Sequence, residues 1–204
     1  LPPSSAASDV YKRQVFCNTK NDCAEVSREL QKMSIGSVAL HGDMEQQARS
    51  QTLIRFANGS ANVLVATDVA ARGLDIDDVD AVFNFELPHQ VESYVHRIGR
   101  TGRGGRDGTA MSLVSDREMS RLKAIETDLN RGAMRLWRAD SDTQGEQRRP
   151  HVTLIAPRVH TLEINGGRKQ KLRPGDILGA LTAGGALGAD AVGKIDILPM
   201  VSYV

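Results

Sequence analysis

From residue 15 to residue 130, short apolar runs alternate with amphipathic stretches, and that rhythm leaves few folds open to the chain. Residues 15–17, 37–40, 62–66, 81–85 and 109–114 are the apolar runs, each of strand length and bounded by polar or turn-forming residues. Between the first two, Ala24, Val26, Leu30 and Met33 fall largely on one side of a helix that Asn21 or Asp22 caps. Residues 45–57 read as a second helix, stopped by Asn58-Gly59. Residues 91–98 and 116–130 read as two more, the last begun at a Ser115/Asp116 cap. Strands joined through helices return to the sheet in parallel. The prediction is an α/β fold, a mainly parallel sheet flanked by helices.

With 204 residues the chain has room for one or two domains, and 40% hydrophobic with 25% charged residues excludes disorder throughout. A formal net charge of +1 excludes a simple polybasic tail, so any nucleic-acid contact must come from local clusters. Cys17 and Cys23 make no disulfide framework and fit a reducing cytoplasm, where we expect the protein to reside. No apolar run approaches the ~20 residues that span a bilayer, and the amino end lacks the apolar core of a signal peptide. No membrane partner is expected.

Residues 139–150 read ADSDTQGEQRRP, with no apolar residue after the alanine, and form the best linker in the chain. We therefore divide the chain into a first domain at 15–135, a linker at 136–151 and a second domain at 152–204. In the second, residues 160–164 alternate as a strand, Arg173-Pro174-Gly175-Asp176 opens a helix to about Thr182, and residues 194–198 read as a further strand. Residues 1–14, LPPSSAASDVYKRQ, resemble translated sequencing-adaptor read-through and are expected to be a non-native leader, a native flexible linker being the alternative. Met200 to Val204 read as a strand cut midway, so a fragment is expected.

In open parallel sheets, ligands bind beyond the carboxyl ends of the strands. Polar residues gather at those positions: Asn18-Thr19, His41-Gly42-Asp43, Thr67-Asp68, and Asn84 with Glu86. One crevice can collect them, although small polar residues at strand ends also serve as turns and caps. HRIGRTGRGGR, residues 96–106, sets Arg97, Arg100, Arg103 and Arg106 at every third position among glycines. Guanidinium forks suit phosphate oxygens, whether of a nucleotide or of a nucleic-acid backbone. Gln46 and Arg49 are three apart near a helix start and share a face beside free helix amides, a site for backbone phosphate or merely solvated surface. In ATDVAARGLDI, Thr67 is placed to reach a nucleic-acid phosphate and Asp75 to accept from ribose hydroxyls; an Arg72–Asp75 ion pair is the structural alternative.

VFCNT, LHGD followed by QQAR, ATDVAARGLDI and HRIGRTGRGG stand in the order and spacing of the second RecA-like domain of DEAD-box RNA helicases, which residues 15 to about 132 resemble. The resemblance implies a RecA-like parallel sheet flanked by helices. It implies that Thr19, Gln46, Arg49 and Thr67 contact RNA, that Asp75 binds the ribose of ATP, and that His96 couples the two sites. It casts Arg100 and Arg103 as arginine fingers on the γ-phosphate, while Arg97 braces the loop against a carboxylate and Arg106 is solvated. No GxxxxGK[ST] loop and no DEAD sequence occur in the chain. In the family they lie on a preceding domain and hold ATP with Mg2+, so this chain alone is expected not to hydrolyse ATP.

NGGRKQKLRPGDILGAL followed by GKIDI resembles the carboxy-terminal RNA-binding domain of DbpA-type bacterial helicases. That implies a partial α+β, RRM-like domain directed to a hairpin of large-subunit ribosomal RNA during ribosome assembly. Arg168, Lys169, Lys171 and Arg173 cluster on the turn before the helix and suit an RNA backbone, unless they form only a solvated loop. The segment is short for a complete βαββαβ domain, and Tyr203 is its only aromatic residue past Trp137. A monomeric ATP-dependent RNA helicase is the leading expectation. A non-catalytic RNA-binding module, half of a split enzyme, and a DNA translocase of the same superfamily are the competing ones.

Overall fold

The computed structural model describes residues 12–72, 76, 79–130, 132–136, 157, 159–185 and 187–204. A parallel sheet in the order β2-β3-β1-β4-β5 is built from β1 (Arg13–Cys17), β2 (Ser37–Leu40), β3 (Val63–Thr67), β4 (Ala81–Asn84) and β5 (Thr109–Ser112). The chain enters in the middle at β1, runs out to β2, steps back to β3, and crosses to β4 and β5. The carboxyl ends of β3, β1 and β4 therefore lie side by side at the point where the strand order reverses.

Alternation along each strand feeds two cores. Phe16, Leu40, Leu64 and Val82 point to one face, under Phe56 of α2 (Gln46–Ala57) and Ala70 of α3 (Asp68–Ala71). Cys17, Val63 and Val65 point to the other, under Cys23, Val26 and Leu30 of α1 (Lys20–Lys32). A third cluster of Leu87, Tyr94, Leu122 and Ile125 joins α4 (Val91–Ile98) to α5 (Met119–Asp128).

The predicted elements are all present among the described residues, with shifted ends. The cap of α1 is Thr19, not Asn21 or Asp22: its backbone is extended, and its hydroxyl accepts the Asp22 N–H at 3.2 Å. The stretch from 116 opens as a tight turn, Asp116–Glu118, closed by a capping box in which Glu118 accepts from the Ser115 N–H at 3.1 Å and its hydroxyl at 2.7 Å. Strand β1 takes in Arg13 and Gln14, two residues inside the expected leader, paired with Val63 and Leu64. Residues 1–11 of that leader, and the expected linker beyond Leu136, lie outside the described residues.

Beyond the linker, β6 (Glu163–Ile164), α6 (Pro174–Thr182), β7 (Asp196–Ile197) and β8 (Ser202–Tyr203) form a β-α-β-β unit with an antiparallel sheet ordered β6-β8-β7. The segment read as a strand cut midway is the central strand, with Tyr203 1% exposed. Pro174 occupies the first position of α6, and Asp176 accepts the Arg173 N–H at 2.9 Å. Polar contacts tie the two units together. Thr161 Oγ1 accepts from Asn58 Nδ2 at 2.6 Å and shares a 2.6 Å bond with the Ser60 hydroxyl, while Gln51 Nε2 donates to Glu163 at 2.6 Å.

Candidate functional site

At the reversal of strand order one guanidinium collects the strand ends. Arg97, near the end of α4, is 1% exposed. Its Nε and Nη2 donate to the two Asp68 oxygens at 2.7 Å each, Nη2 also reaches Asn18 Oδ1 at 2.8 Å, and Nη1 reaches Asn84 Oδ1 at 3.2 Å and the Glu86 carbonyl at 2.9 Å. The guanidinium plane stands 5.2 Å over the Phe16 ring. A buried charge persists only when paired and fully hydrogen-bonded, and Arg97 meets both conditions. The residues after β1, β3 and β4 are thus one unit. Asn18 extends it: its N–H donates to the Glu86 carboxylate at 3.1 Å, and its amide to the Leu87 carbonyl at 3.1 Å.

That buried fork aims the loop that follows it. Gly99 ends α4, Arg100 accepts the Val79 N–H at its carbonyl at 3.1 Å, and Arg103 Nε donates back to the Gly99 carbonyl at 2.6 Å. Gly102, Gly104 and Gly105 have φ of 69°, 63° and 78°, so the glycines are required by left-handed backbone. Gly108 is required by close approach: a Cβ there would stand 2.3 Å from the Gly102 nitrogen. His96 is exposed one turn before Arg100, and with Asp68, Arg72 and Arg100 it lines a recess of about 20 Å³, room for a water-sized group.

The RNA-contact residues expected from the sequence lie around this unit, not within it. Thr67, 8% exposed, precedes α3 beside Asp68. Thr19 is exposed, and its hydroxyl also donates to the Asp22 carboxylate. Gln46 is exposed at the first position of α2, a turn with no acidic side chain. Arg49, one turn on, donates from Nη2 to the Ala70 carbonyl at 2.7 Å and so fastens α2 to α3. The His41-Gly42-Asp43 loop does not join the Arg97 unit. It is tied to α1 by a Lys20–Asp43 pair, whose direct bond holds the Asp43 carboxyl below its ordinary pKa. Asp75, the expected ribose contact, lies outside the described residues.

In the second unit the basic cluster sits on a braced turn. Arg168 and Lys169 lie in a tight helical turn (Arg168–Gln170), Lys171 follows at φ 62°, and Arg173 caps α6; all four are exposed. The Arg168 and Lys169 N–H groups donate to the Leu198 and Pro199 carbonyls at 3.0 Å, and Arg168 Nε donates to the Ile197 carbonyl at 2.9 Å. Gly167 makes this approach possible, since a Cβ would meet the Leu198 oxygen at 2.2 Å. Sequence reasoning missed the Phe16 ring beneath Arg97 and the Lys20–Asp43 tether, which no spacing in the sequence signals. Among the described residues, no three His, Cys, Asp or Glu side chains form a metal-holding group, and no helix is long and apolar enough to cross a membrane.

Comparison with known proteins agrees with this geometry. The helicase conserved C-terminal domain family matches residues 7–105, and the DbpA RNA binding domain family residues 161–204. The crystal structure of a DEAD box protein from Methanococcus jannaschii superposes with a TM-score of 0.57 at 39% identity, covering 60% of this chain and 34% of that one. Escherichia coli SrmB, a DEAD-box protein solved with the regulator of ribonuclease activity A, gives 0.56 at 36% identity over 66% of this chain and 85% of that one. The chain belongs to the DEAD-box helicases and carries their carboxy-terminal RecA-like domain. Within them it is of the DbpA type. It is 46% identical to the ATP-dependent RNA helicase DbpA of Escherichia coli K12 across 93% of its own length, and 34% identical to that of Bacillus subtilis 168 across 93%. It spans 40% and 43% of the length of those two relatives.

Proposed function

We propose that the chain is the second motor half, with its RNA-targeting domain, of an ATP-dependent RNA helicase. It acts in the cytoplasm, as a monomer, on ribosomal RNA during large-subunit assembly. The observation that carries this reading is the Arg97 unit, which bonds Asn18 and Asp68, the neighbours in sequence of the expected RNA contacts Thr19 and Thr67, and leads directly into the arginine loop. ATP, with its Mg2+, is held between this domain and a preceding RecA-like domain. On closure, Arg100 and Arg103 neutralise the charge that develops on the transferred phosphoryl group. Asp75 accepts from the ribose, and His96 carries the state of one site to the other. Thr19, Gln46, Arg49 and Thr67 hold one RNA strand in a bent path, which separates it from its complement. The Arg168, Lys169, Lys171 and Arg173 cluster brings the motor to a hairpin.

Joining the preceding domain of the Escherichia coli relative to this chain tests the reading. The chimera is expected to separate a short RNA duplex beside a ribosomal hairpin only with ATP, and to leave a DNA duplex of the same sequence intact. Equal action on DNA would place it among DNA translocases instead.

A further inference from the structure

Recognition of single-stranded RNA rests on flat apolar surface as well as on charge. The second unit does not take that surface from its aromatic residue. Tyr203 is the only aromatic side chain past Trp137, and at 1% exposed it offers no face to a base. Apolar surface is available instead at the turn between β7 and β8. There the Leu198 N–H donates to the Val201 carbonyl at 2.9 Å, which closes the turn and leaves Pro199 and Met200 at its apex, Met200 55% exposed.

That apex is fastened to the basic turn. The Arg168 and Lys169 N–H groups hold the Leu198 and Pro199 carbonyls, and the Ser202 hydroxyl donates to the Gly166 carbonyl at 2.7 Å. A Cβ on Gly167 would stand 2.8 Å from the Met200 nitrogen, so the Met200 backbone lies directly against the residue before Arg168. Neither turn, residues 166–171 or 198–201, contains a carboxylate. The flanking acids are engaged: Asp176 accepts the Arg173 N–H at 2.9 Å, and Asp196 pairs with Lys194 at 2.8 Å. Cations that attract phosphate thus stand beside an uncharged apolar apex, the arrangement by which single-strand sites grip a backbone and seat its bases. We propose that Pro199 and Met200 form the surface on which one unpaired base of the bound RNA stacks, while Arg168 and Lys169 hold a phosphate of the same strand. This seat depends on the RNA-targeting role proposed for the cluster, and adds what charge alone does not supply, a preference for an unpaired nucleotide over a duplex. The Met200 thioether is polarisable and packs favourably on a ring. It makes no strong hydrogen bond, so the seat takes any base, a purine more tightly than a pyrimidine because its face is larger.

The test is fluorescence anisotropy of the full chain with two labelled RNA hairpins of the same stem, one with an unpaired adenine loop and one with abasic sites in that loop. The adenine loop is expected to bind more tightly. Met200→Ala should weaken binding of the adenine loop about fivefold and leave the abasic loop unchanged. Met200→Phe should match or exceed the parent, because a ring stacks on a base directly. The dependence on salt should stay at the parent's value in both variants, since no phosphate contact is lost. An unshifted urea transition shows that the exposed substitution leaves the fold intact. Equal affinity of the parent for the two hairpins overturns the stacking surface alone. So does Met200→Ala that binds the adenine loop like the parent or loses the same factor on both hairpins, and so does Met200→Phe no better than Met200→Ala. Binding of neither hairpin by the parent overturns the RNA-targeting role of the cluster itself.

Discussion

The Arg97 guanidinium grips the Asp68 carboxylate at two points, each 2.7 Å, with the arginine 1% exposed and the aspartate 28%. The pair joins the end of α4 to the start of α3, and through Asn18 and Asn84 it holds the residues after β1 and β4 as well. Among the described residues, no regular element spans those strand ends. A side chain does.

Arg97→Met should therefore destabilise the first domain by about 3 kcal/mol, the low end of the range for breaking a buried pair, because Asp68 keeps some access to water. Arg97→Lys should recover little of it, since an ammonium cannot supply the two-point fork. Urea unfolding of both variants measures this. A loss under about 0.5 kcal/mol would mean the pair is incidental.

Alkaline stability should report the buried thiols. Burial, followed by the neighbouring Cys23, pushes the Cys17 thiol up to about 12, and burial also pushes Cys23 up from 9.0. The folded state thus binds protons that the unfolded state releases. Stability from these groups is fully present below pH 9 and is lost as pH rises toward 12. The urea midpoint should fall over that window. Iodoacetamide at pH 8 should label both cysteines in urea and neither in the native chain.

How much of this was legible beforehand depended on the range of the interaction. The five parallel strands follow from local runs such as residues 62–66, whose β3 is buried at every position. Helix ends were less legible, because several polar residues near 19–22 can cap and only the backbone angles at Thr19 select one. Arg97 was expected to pair with a carboxylate, but the choice of Asp68 is fixed by sheet order, with the partners 29 residues apart. Glycines between the arginines of that loop fit either close approach or left-handed backbone, and the sequence does not choose between them. At Gly104 and Gly105 a Cβ would meet nothing within 4 Å, and the requirement is left-handed backbone.

Gly167→Ala should disrupt the second unit alone. Its Cβ would stand 2.2 Å from the Leu198 oxygen, so the turn bearing Arg168 and Lys169 must lift off β7. RNA affinity should drop while the urea transition of the first domain stays in place. An affinity equal to that of the parent would mean the basic turn does not hold RNA.

Lys169→Ala and Arg173→Ala should each lower RNA affinity and reduce the slope of log affinity against log salt by about 0.7, if each neutralises one single-strand phosphate. Binding at increasing salt measures the slope. Variants that weaken binding with the slope unchanged would point to a folding defect.

Arg100 and Arg103 are proposed to complete an ATPase whose phosphate loop lies on another domain. The most direct measurement is RNA-stimulated ATP hydrolysis by this chain alone, with a purified preceding RecA-like domain added, and with that domain and Arg100→Ala. The expected result is no hydrolysis alone and hydrolysis on mixing. Arg100→Ala should cut the turnover number by about 10³-fold or more with little change in KM. Hydrolysis by the chain alone, or full turnover in the Arg100→Ala mixture, would contradict the account.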